Sequence, residues 1–249
     1  MIKRRLYIQV IYQAEIDDSE FKYYAALASN LLTFHLPKLN VKKTRKILIE
    51  FADTKGAFFI FPQGQEESMY TVCETFQFAD FFLLDYYGRM NFIIRKSVEC
   101  LKKLFEKLHL ATDIVIFGEQ EIYRNNFRLD LELCGGLKIN KRRTIKAVVN
   151  AEHFLKYTLL QIVFFTANNE EFNRVSLFKT SPSHVIYNQL LDSAKWLNDE
   201  VFRVANVSEE FAVEVRADGK CRMIYNPKMR EVQDIQEEIK FLTEEFFVS

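Results

Sequence analysis

The stretch that decides the fold is FAVEVRADGKCRMIY, residues 211–225. Apolar and polar residues alternate on both sides of the Asp218-Gly219 pair, which is the pattern of two half-buried strands joined by a turn. This pattern predicts an antiparallel hairpin.

The length of the hairpin loop follows from the side chains that each pairing brings together. A two-residue turn would place Val215 opposite Arg222 and mix polar with apolar groups on one face. A three-residue loop over 217–219 instead places Val215 opposite Cys221 and Glu214 opposite Arg222. We therefore predict the three-residue loop, with its glycine in the left-handed region. The same register pairs Val213 with Met223 and Phe211 with Tyr225.

Other segments of the chain predict further strands and helices. Alternating or β-branched apolar residues predict strands at 6–12, 47–51, 58–60, 70–78, 114–117, 127–133, 144–149 and 175–178. The strands at 47–51 and 58–60 are predicted to form a hairpin, and Gly135-Gly136 marks a turn or a bulge. Spacings of three and four between apolar residues predict helices at 17–36, 94–108, 150–166, 181–204 and 226–246. The segment 150–166 also fits a strand.

The order of these elements predicts an α+β fold with antiparallel sheets and long amphipathic helices. Strands followed by a long amphipathic helix occur twice, ending near Leu108 and near Val204. We therefore predict two lobes, 1–110 and 111–249, with a divide near residues 109–125. Two similar βα lobes and one continuous domain are both open alternatives, since the residues do not align and no linker marks the divide.

Composition excludes several function classes. The 249 residues include seven Gly and four Pro, which is too few for glycine-rich phosphate loops or long flexible linkers. The four cysteines are far apart without CxxC spacing, which argues against a zinc site. The beginning of the chain does not resemble a signal peptide, and the apolar stretch 154–167 is too short for a membrane span. We expect a soluble cytoplasmic protein without a cofactor or a membrane partner.

Zero net charge conceals an uneven distribution of charged residues. Residues 191–249 contain eight Lys and Arg against thirteen Asp and Glu, and residues 1–190 contain 26 against 21. The acidic residues of the last predicted helix offer a surface for a basic protein partner. The candidate partner-binding residues there are Glu237, Glu238, Glu244 and Glu245.

Two small groups of residues suggest a metal-binding or catalytic role. Asp130 and Glu132 lie two apart on a predicted strand, so both carboxylates share a face and could hold a divalent cation for a metal-dependent hydrolase. Arg128 on the same face favours a plain solvated surface instead. Cys134 could act as a nucleophile with His153 as its base, although no motif surrounds either residue.

Two basic clusters suggest contact with phosphates. One precedes the predicted strand at 47–51, and the other follows Gly135-Gly136. If the two loops lay side by side they would form a positive surface for nucleic acid. The candidate nucleic-acid residues are Lys42, Lys43, Arg45, Lys141, Arg142 and Arg143, with Lys38, Lys46, Lys138 and Lys146 beside them.

Because no catalytic, phosphate-loop or metal-binding motif is present, we predict a non-catalytic protein that binds another macromolecule. Protein binding of an inhibitor or immunity type ranks first. Nucleic-acid binding by the basic loops and metal-dependent hydrolysis at Asp130 and Glu132 are the alternatives.

Overall fold

The computed structural model divides the chain by its internal contacts into two compact units, Met1–Leu129 and Asp130–Ser249. The predicted division into 1–110 and 111–249 stays a prediction, as does the single-domain alternative. The residues that the structure describes are 6–13, 19–38, 46–53, 59–63, 69–182, 184–228 and 230–246.

The first unit combines a sheet with helices. Its sheet has the strand order β1-β2-β4-β3, in which β1, β2 and β4 run parallel and β3 runs antiparallel to β4. The elements, in chain order, are β1 (Tyr7–Gln13), α1 (Ser19–His35), β2 (Lys46–Ala52), β3 (Phe59–Gln63), β4 (Met69–Thr75), α2 (Phe78–Phe82), α3 (Tyr86–Lys107) and α4 (Asp113–Arg124).

Two predictions for this unit are wrong. Strands β2 and β3 do not form a hairpin, because β4 lies between them and pairs with both. Local alternation identifies a strand but not its neighbour, and here the parallel pairing of β2 with β4 decides the order. Residues 114–117 belong to α4, where Val115 and Ile122 are buried on the same helical face, two turns apart. The β-branched residues favour a strand locally, and packing of that face overrides the preference.

Helix α1 covers the free edge of β1. The Thr33 hydroxyl accepts a hydrogen bond from the Ile8 N–H at 3.0 Å and donates to the Ile8 carbonyl at 3.1 Å. The Ser29 hydroxyl accepts from the Val10 N–H at 2.9 Å. These side chains satisfy edge groups that a further strand would otherwise use.

The second unit is built from two sheets and two short helices. One sheet has the order β13-β8-β7-β6-β5 and the other β12-β11-β10-β9, with antiparallel pairing in the latter and between β6, β7 and β8. The elements are β5 (Leu129–Ile139), β6 (Ile145–His153), β7 (Thr158–Thr166), β8 (Glu171–Thr180), α5 (His184–Leu190), β9 (Ser193–Trp196), β10 (Val201–Ala205), β11 (Phe211–Arg216), β12 (Cys221–Tyr225), α6 (Val232–Leu242) and β13 (Glu245–Phe246).

One hydrophobic core joins both sheets of this unit. The five-stranded sheet contributes Val149 and Ile162, and the four-stranded sheet contributes Phe202 and Val213. Buried side chains of α5 and α6 complete the same core. The chain is therefore a mixture of helices and antiparallel sheets as predicted, although the sheet of the first unit is mixed, with three parallel strands. Because the two units differ in sheet topology, the alternative of two similar lobes is not confirmed.

The hairpin of β11 and β12 confirms the predicted register. Val215 pairs with Cys221 and Glu214 with Arg222, as the three-residue loop requires. Gly219 adopts a φ of 95°, in the left-handed region. On the outer face, Glu214 accepts hydrogen bonds from the Arg222 guanidinium at 2.7 and 2.9 Å. The separation of apolar and charged faces therefore fixed the register.

Two helix predictions for this unit are wrong, and a third helix is shorter than predicted. The predicted helix 150–166 is the hairpin of β6 and β7, and the predicted helix 181–204 shrinks to α5 followed by β9 and β10. A turn after β9 interrupts the predicted helix 181–204. In this turn the Asn198 side-chain oxygen accepts hydrogen bonds from the N–H groups of Glu200 and Val201. The last helix, predicted over 226–246, is α6, which begins at Val232 behind a Glu231 capping box and ends before β13.

Strand β5 contains a kink that reverses its faces. Cys134, Gly135 and Gly136 have φ values of 53°, 74° and 76°, in the left-handed region. Before the kink the odd-numbered residues of β5 point inward, and after it the even-numbered residues do. The kink thus acts as a β-bulge does, by shifting the two-residue alternation by one position.

We expect Gly136→Ala to lower the free energy of unfolding by about 1 to 2 kcal/mol, because a Cβ is strained at positive φ. That Cβ would also lie 3.2 Å from a Glu132 carboxylate oxygen. Gly136→Asn is the matched control and should lose less, since Asn tolerates the left-handed region. Urea unfolding measures both variants. An Ala variant as stable as the original chain would contradict the kink.

Candidate functional site

The kink in β5 exposes two aliphatic side chains at the edge of the five-stranded sheet. Leu137 is 43% exposed and Ile139 is 51% exposed. In a straight strand both would continue the inward face of Leu131 and Leu133, which pack against the core. The kink therefore moves two apolar residues from the core side to the solvent side.

These residues line an open groove with the edge strand β9. The groove has a volume of about 780 Å³ and lies between the end of β5, strand β9 and the loop that follows β9. Leu197 adds a third exposed aliphatic side chain, at 45% exposure. The lining residues are Leu137, Lys138, Ile139, Lys141, Ala194, Lys195, Trp196, Leu197, Asn198 and Asp199.

Trp196 anchors the groove to the core. Its ring centroid lies 5.1 Å from that of Phe202 and 6.0 Å from that of Phe164. Its indole N–H donates to the Lys138 carbonyl at 3.1 Å and so links β9 to β5. Because both sides of the groove are held to one core, its shape is largely formed before any ligand arrives.

The groove is electropositive. Lys138, Lys141 and Lys195 line it, and none of them forms an ion pair with another described residue. The carboxylate in the lining belongs to Asp199, which accepts from the Arg142 guanidinium at 3.1 Å and from the Arg142 N–H at 2.9 Å. The acid is thus neutralised within the chain, while the positive charges of the three lysines are not balanced by a described carboxylate, although the Lys138 ammonium donates to the Gly135 carbonyl at 3.4 Å.

The predicted nucleic-acid residues are only partly described. Lys141, Arg142 and Arg143 lie in the turn between β5 and β6, and Arg142 is held by Asp199. Lys42, Lys43 and Arg45 lie outside the described residues. The predicted meeting of the two basic loops stays a prediction.

The predicted acidic surface is largely engaged by neighbouring side chains. Glu238 forms an ion pair with Arg230, and Glu237 accepts a hydrogen bond from Gln233 at 3.2 Å. Glu244 lies 4.0 Å from the Lys179 ammonium. The side chain of Glu245 lies outside the described residues. The two ion pairs reduce the negative charge that Glu238 and Glu244 present to a partner, whereas the neutral Gln233 amide leaves the charge of Glu237 in place.

The predicted carboxylate pair lies on the exposed face of β5. Asp130 and Glu132 are both exposed, and Asp130 contributes to the electrostatic surroundings of Arg174. Within the described part of the chain, no group of three or more His, Cys, Asp or Glu side chains could hold a metal ion. The described residues therefore do not place further metal ligands beside Asp130 and Glu132.

Cys134 and His153 have separate partners. The Cys134 thiol donates to the Leu191 carbonyl at 3.4 Å, and burial together with the nearby Asp192 raises its pKa to about 12. His153 is buried and its Nε2 lies 2.7 Å from the Tyr187 hydroxyl. A thiol with such a high pKa is a poor nucleophile at neutral pH.

His153 belongs to a buried polar chain under α5. The Tyr187 hydroxyl bridges His153 Nε2 and the Thr158 hydroxyl, at 2.7 and 2.8 Å. His153 Nδ1 lies 3.3 Å from the Ala151 carbonyl, which favours the Nδ1–H tautomer and leaves Nε2 to accept from tyrosine. Burial raises the pKa of Tyr187. This arrangement satisfies three buried polar side chains and stabilises the packing of α5 on the sheet.

The groove contains residues that sequence reasoning did not select. The spacing of apolar residues makes Leu137, Ile139 and Leu197 look like core residues. The predicted helix 181–204 includes Lys195 and Trp196. The available signal was the Gly135-Gly136 pair inside an alternating strand, which marks a place where alternation can shift. The Asn198-Asp199 pair was the corresponding signal for the turn after β9.

Within the described residues, no helix is long and apolar enough to cross a membrane. Comparisons with protein-family models, with curated proteins and with solved structures find no match to this chain.

We expect the Cys134 thiol of the folded chain to react with iodoacetamide about 1,000-fold more slowly at pH 8 than in urea. A rise in pKa from 9.0 to about 12 lowers the thiolate fraction by that factor. The native rate should rise about tenfold per pH unit while the chain stays folded. Peptide mass spectrometry separates Cys134 from the other cysteines. Rapid native alkylation at pH 7 would restore the nucleophile hypothesis.

We expect Tyr187→Phe to lower the free energy of unfolding by about 1 to 3 kcal/mol, because it removes the buried hydroxyl that bridges His153 Nε2 and the Thr158 hydroxyl. Tyr157→Phe, at a partly exposed tyrosine of the same unit, is the control and should change stability by less than about 0.5 kcal/mol. Denaturant unfolding at pH 7 measures both.

The same pair of proteins tests the raised pKa of Tyr187. The unfolded tyrosine ionises near pH 10, while the folded one stays protonated, so the original chain loses stability as the pH rises above about 10. The Phe variant lacks this loss. The stability difference between the two should therefore shrink above pH 10, and a constant difference would contradict the burial of Tyr187.

Proposed function

We propose that this chain binds another protein through the groove between β5 and β9. The observation that carries the proposal is the pair Leu137 and Ile139, which the kink holds in solvent beside Leu197. Three aliphatic side chains around one concave surface are suitable anchors for a partner, because covering each removes apolar area from water.

The energetics of the kink support this function. A non-glycine residue at positive φ, here Cys134, costs about 1 to 2 kcal/mol, and exposing two aliphatic side chains forgoes their burial in the core. Both costs arise from the kink at Cys134, Gly135 and Gly136. Strained backbone and re-aimed strands occur preferentially at functional sites. A partner that covers Leu137 and Ile139 would offset the cost.

The uncharged side chains of the groove favour protein binding over nucleic-acid binding. Its lysines would suit either ligand, but the aromatic side chain in the lining, Trp196, packs against Phe164 and Phe202. A ring held in the core offers little surface for base stacking, on which binding of single strands depends. The aliphatic residues of the groove also suit a protein better than a sugar-phosphate backbone. That the bound protein is an enzyme under inhibition stays a prediction.

The proposal can be tested by site-directed photo-cross-linking in extracts of cells that express the chain naturally. A photoreactive amino acid replaces Leu137 in one protein and the exposed Val207, outside the groove, in the control. We expect one protein adduct from position 137 that is absent from position 207. The adduct is identified by mass spectrometry and the partner is purified.

The purified partner is then titrated against the original chain and against Leu197→Glu. Trp196 is the one tryptophan in the sequence and lies in the groove, so its fluorescence reports binding directly. Loss of one buried leucine contact should weaken binding at least tenfold, about 1.4 kcal/mol or more. Equal affinity for both proteins, or an adduct that nuclease digestion removes, would refute the proposal.

A further inference from the structure

We propose that the segment bound in this groove is acidic and extended, and that it pairs with the free edge of β9. This inference rests on the protein-binding function proposed above and specifies the chemistry of the partner.

Strand β9 presents backbone groups to the groove. It is the last strand of its sheet and pairs with β10 on one side. The Leu197 N–H donates to the Val201 carbonyl, so Leu197 and, two residues before it, Lys195 direct their backbone groups toward β10. Ala194 and Trp196 therefore direct their N–H and carbonyl groups away from β10, and both residues line the groove.

The contrast with β1 shows how this chain closes an edge. The hydroxyls of Ser29 and Thr33 occupy the outward backbone groups of Ile8 and Val10. Among the described residues, no side chain or strand occupies the outward backbone groups of Ala194 and Trp196 in this way. An open edge beside exposed aliphatic residues is the arrangement that proteins use when they bind a peptide as an added strand.

The size of the edge limits the paired segment. Strand β9 has four residues, which corresponds to about 13 Å of extended chain. A peptide of about seven residues would cover the strand and leave side chains over Leu137 on one side and Leu197 on the other. Alternate side chains of such a strand point to opposite faces, so apolar and charged residues should alternate in it.

The charge of the groove selects acidic side chains. Lys138, Lys141 and Lys195 line it without an ion pair among the described residues, while Arg142 neutralises Asp199. A basic segment would meet three like charges, and an acidic one would be attracted by the same three lysines.

The experiment is selection from a display library of random seven-residue peptides against the full chain. The selected peptides are synthesised, and their binding is measured through Trp196 fluorescence. Leu137→Glu and Leu197→Glu show whether a peptide occupies the groove. The double variant Lys141→Glu, Lys195→Glu tests the charge, and Lys220→Glu, at an exposed lysine of the β11–β12 turn, is its control.

We expect peptides rich in Asp and Glu that alternate with apolar residues. Each groove variant and the double charge reversal should weaken binding at least tenfold, while Lys220→Glu leaves it unchanged. N-methylation tests the pairing, because it removes a backbone N–H. Two peptides are compared, one methylated at the odd-numbered residues and one at the even-numbered residues. The peptide whose methyl groups replace the N–H groups facing β9 should not bind, and the other should bind as before.

The remaining outcomes separate the two proposals. Groove-dependent peptides that are neutral or basic, or that tolerate N-methylation at the odd-numbered and at the even-numbered residues alike, would overturn this inference and leave the protein-binding function standing. Failure to select any groove-dependent peptide, together with the absence of a cross-linked protein at position 137, would overturn both.

Discussion

The left-handed backbone of Cys134, Gly135 and Gly136 is the constraint on which the candidate site depends. A strand alternates its side chains with a period of two, so a single shift exchanges the two faces for all later residues. The shift turns Leu137 and Ile139 to solvent and leaves Lys138 half-buried, with its backbone carbonyl bonded to the Trp196 indole. Glycine makes the shift possible at two of the three positions because it lacks a Cβ.

The groove is held in place by the core of the second unit. Both sheets share one set of buried side chains, and Trp196 reaches from that set to the Lys138 carbonyl. The buried chain of Thr158, Tyr187 and His153 ties α5 to the same body. A binding surface held by a packed core needs little ordering when a partner arrives, which favours affinity.

The sequence predicts those parts of the fold in which one local rule decides. The β11–β12 register was predictable because only one pairing separates Val215 and Cys221 from Glu214 and Arg222. The order of β2, β3 and β4 was not, since alternation carries no information about neighbours. The apolar residues in 186–204 have a helical spacing by coincidence. The structure instead has a turn at Asn198 between β9 and β10. The site was missed because Leu137 and Ile139 continue the odd-numbered apolar pattern of Leu131 and Leu133, and only backbone geometry at the glycines separates the two pairs.

The reversal of faces in β5 is tested most directly by single-cysteine labelling. Cysteine replaces one residue at a time, at positions 133, 137 and 139, in a chain whose own four cysteines are replaced by alanine or serine. Maleimide labelling rates of the folded proteins then report which face each position occupies. The kink predicts that positions 137 and 139 react at rates close to those of the unfolded chain, while position 133 reacts far more slowly. Equal protection at all three positions would show that the strand runs straight, and would contradict the account of the groove.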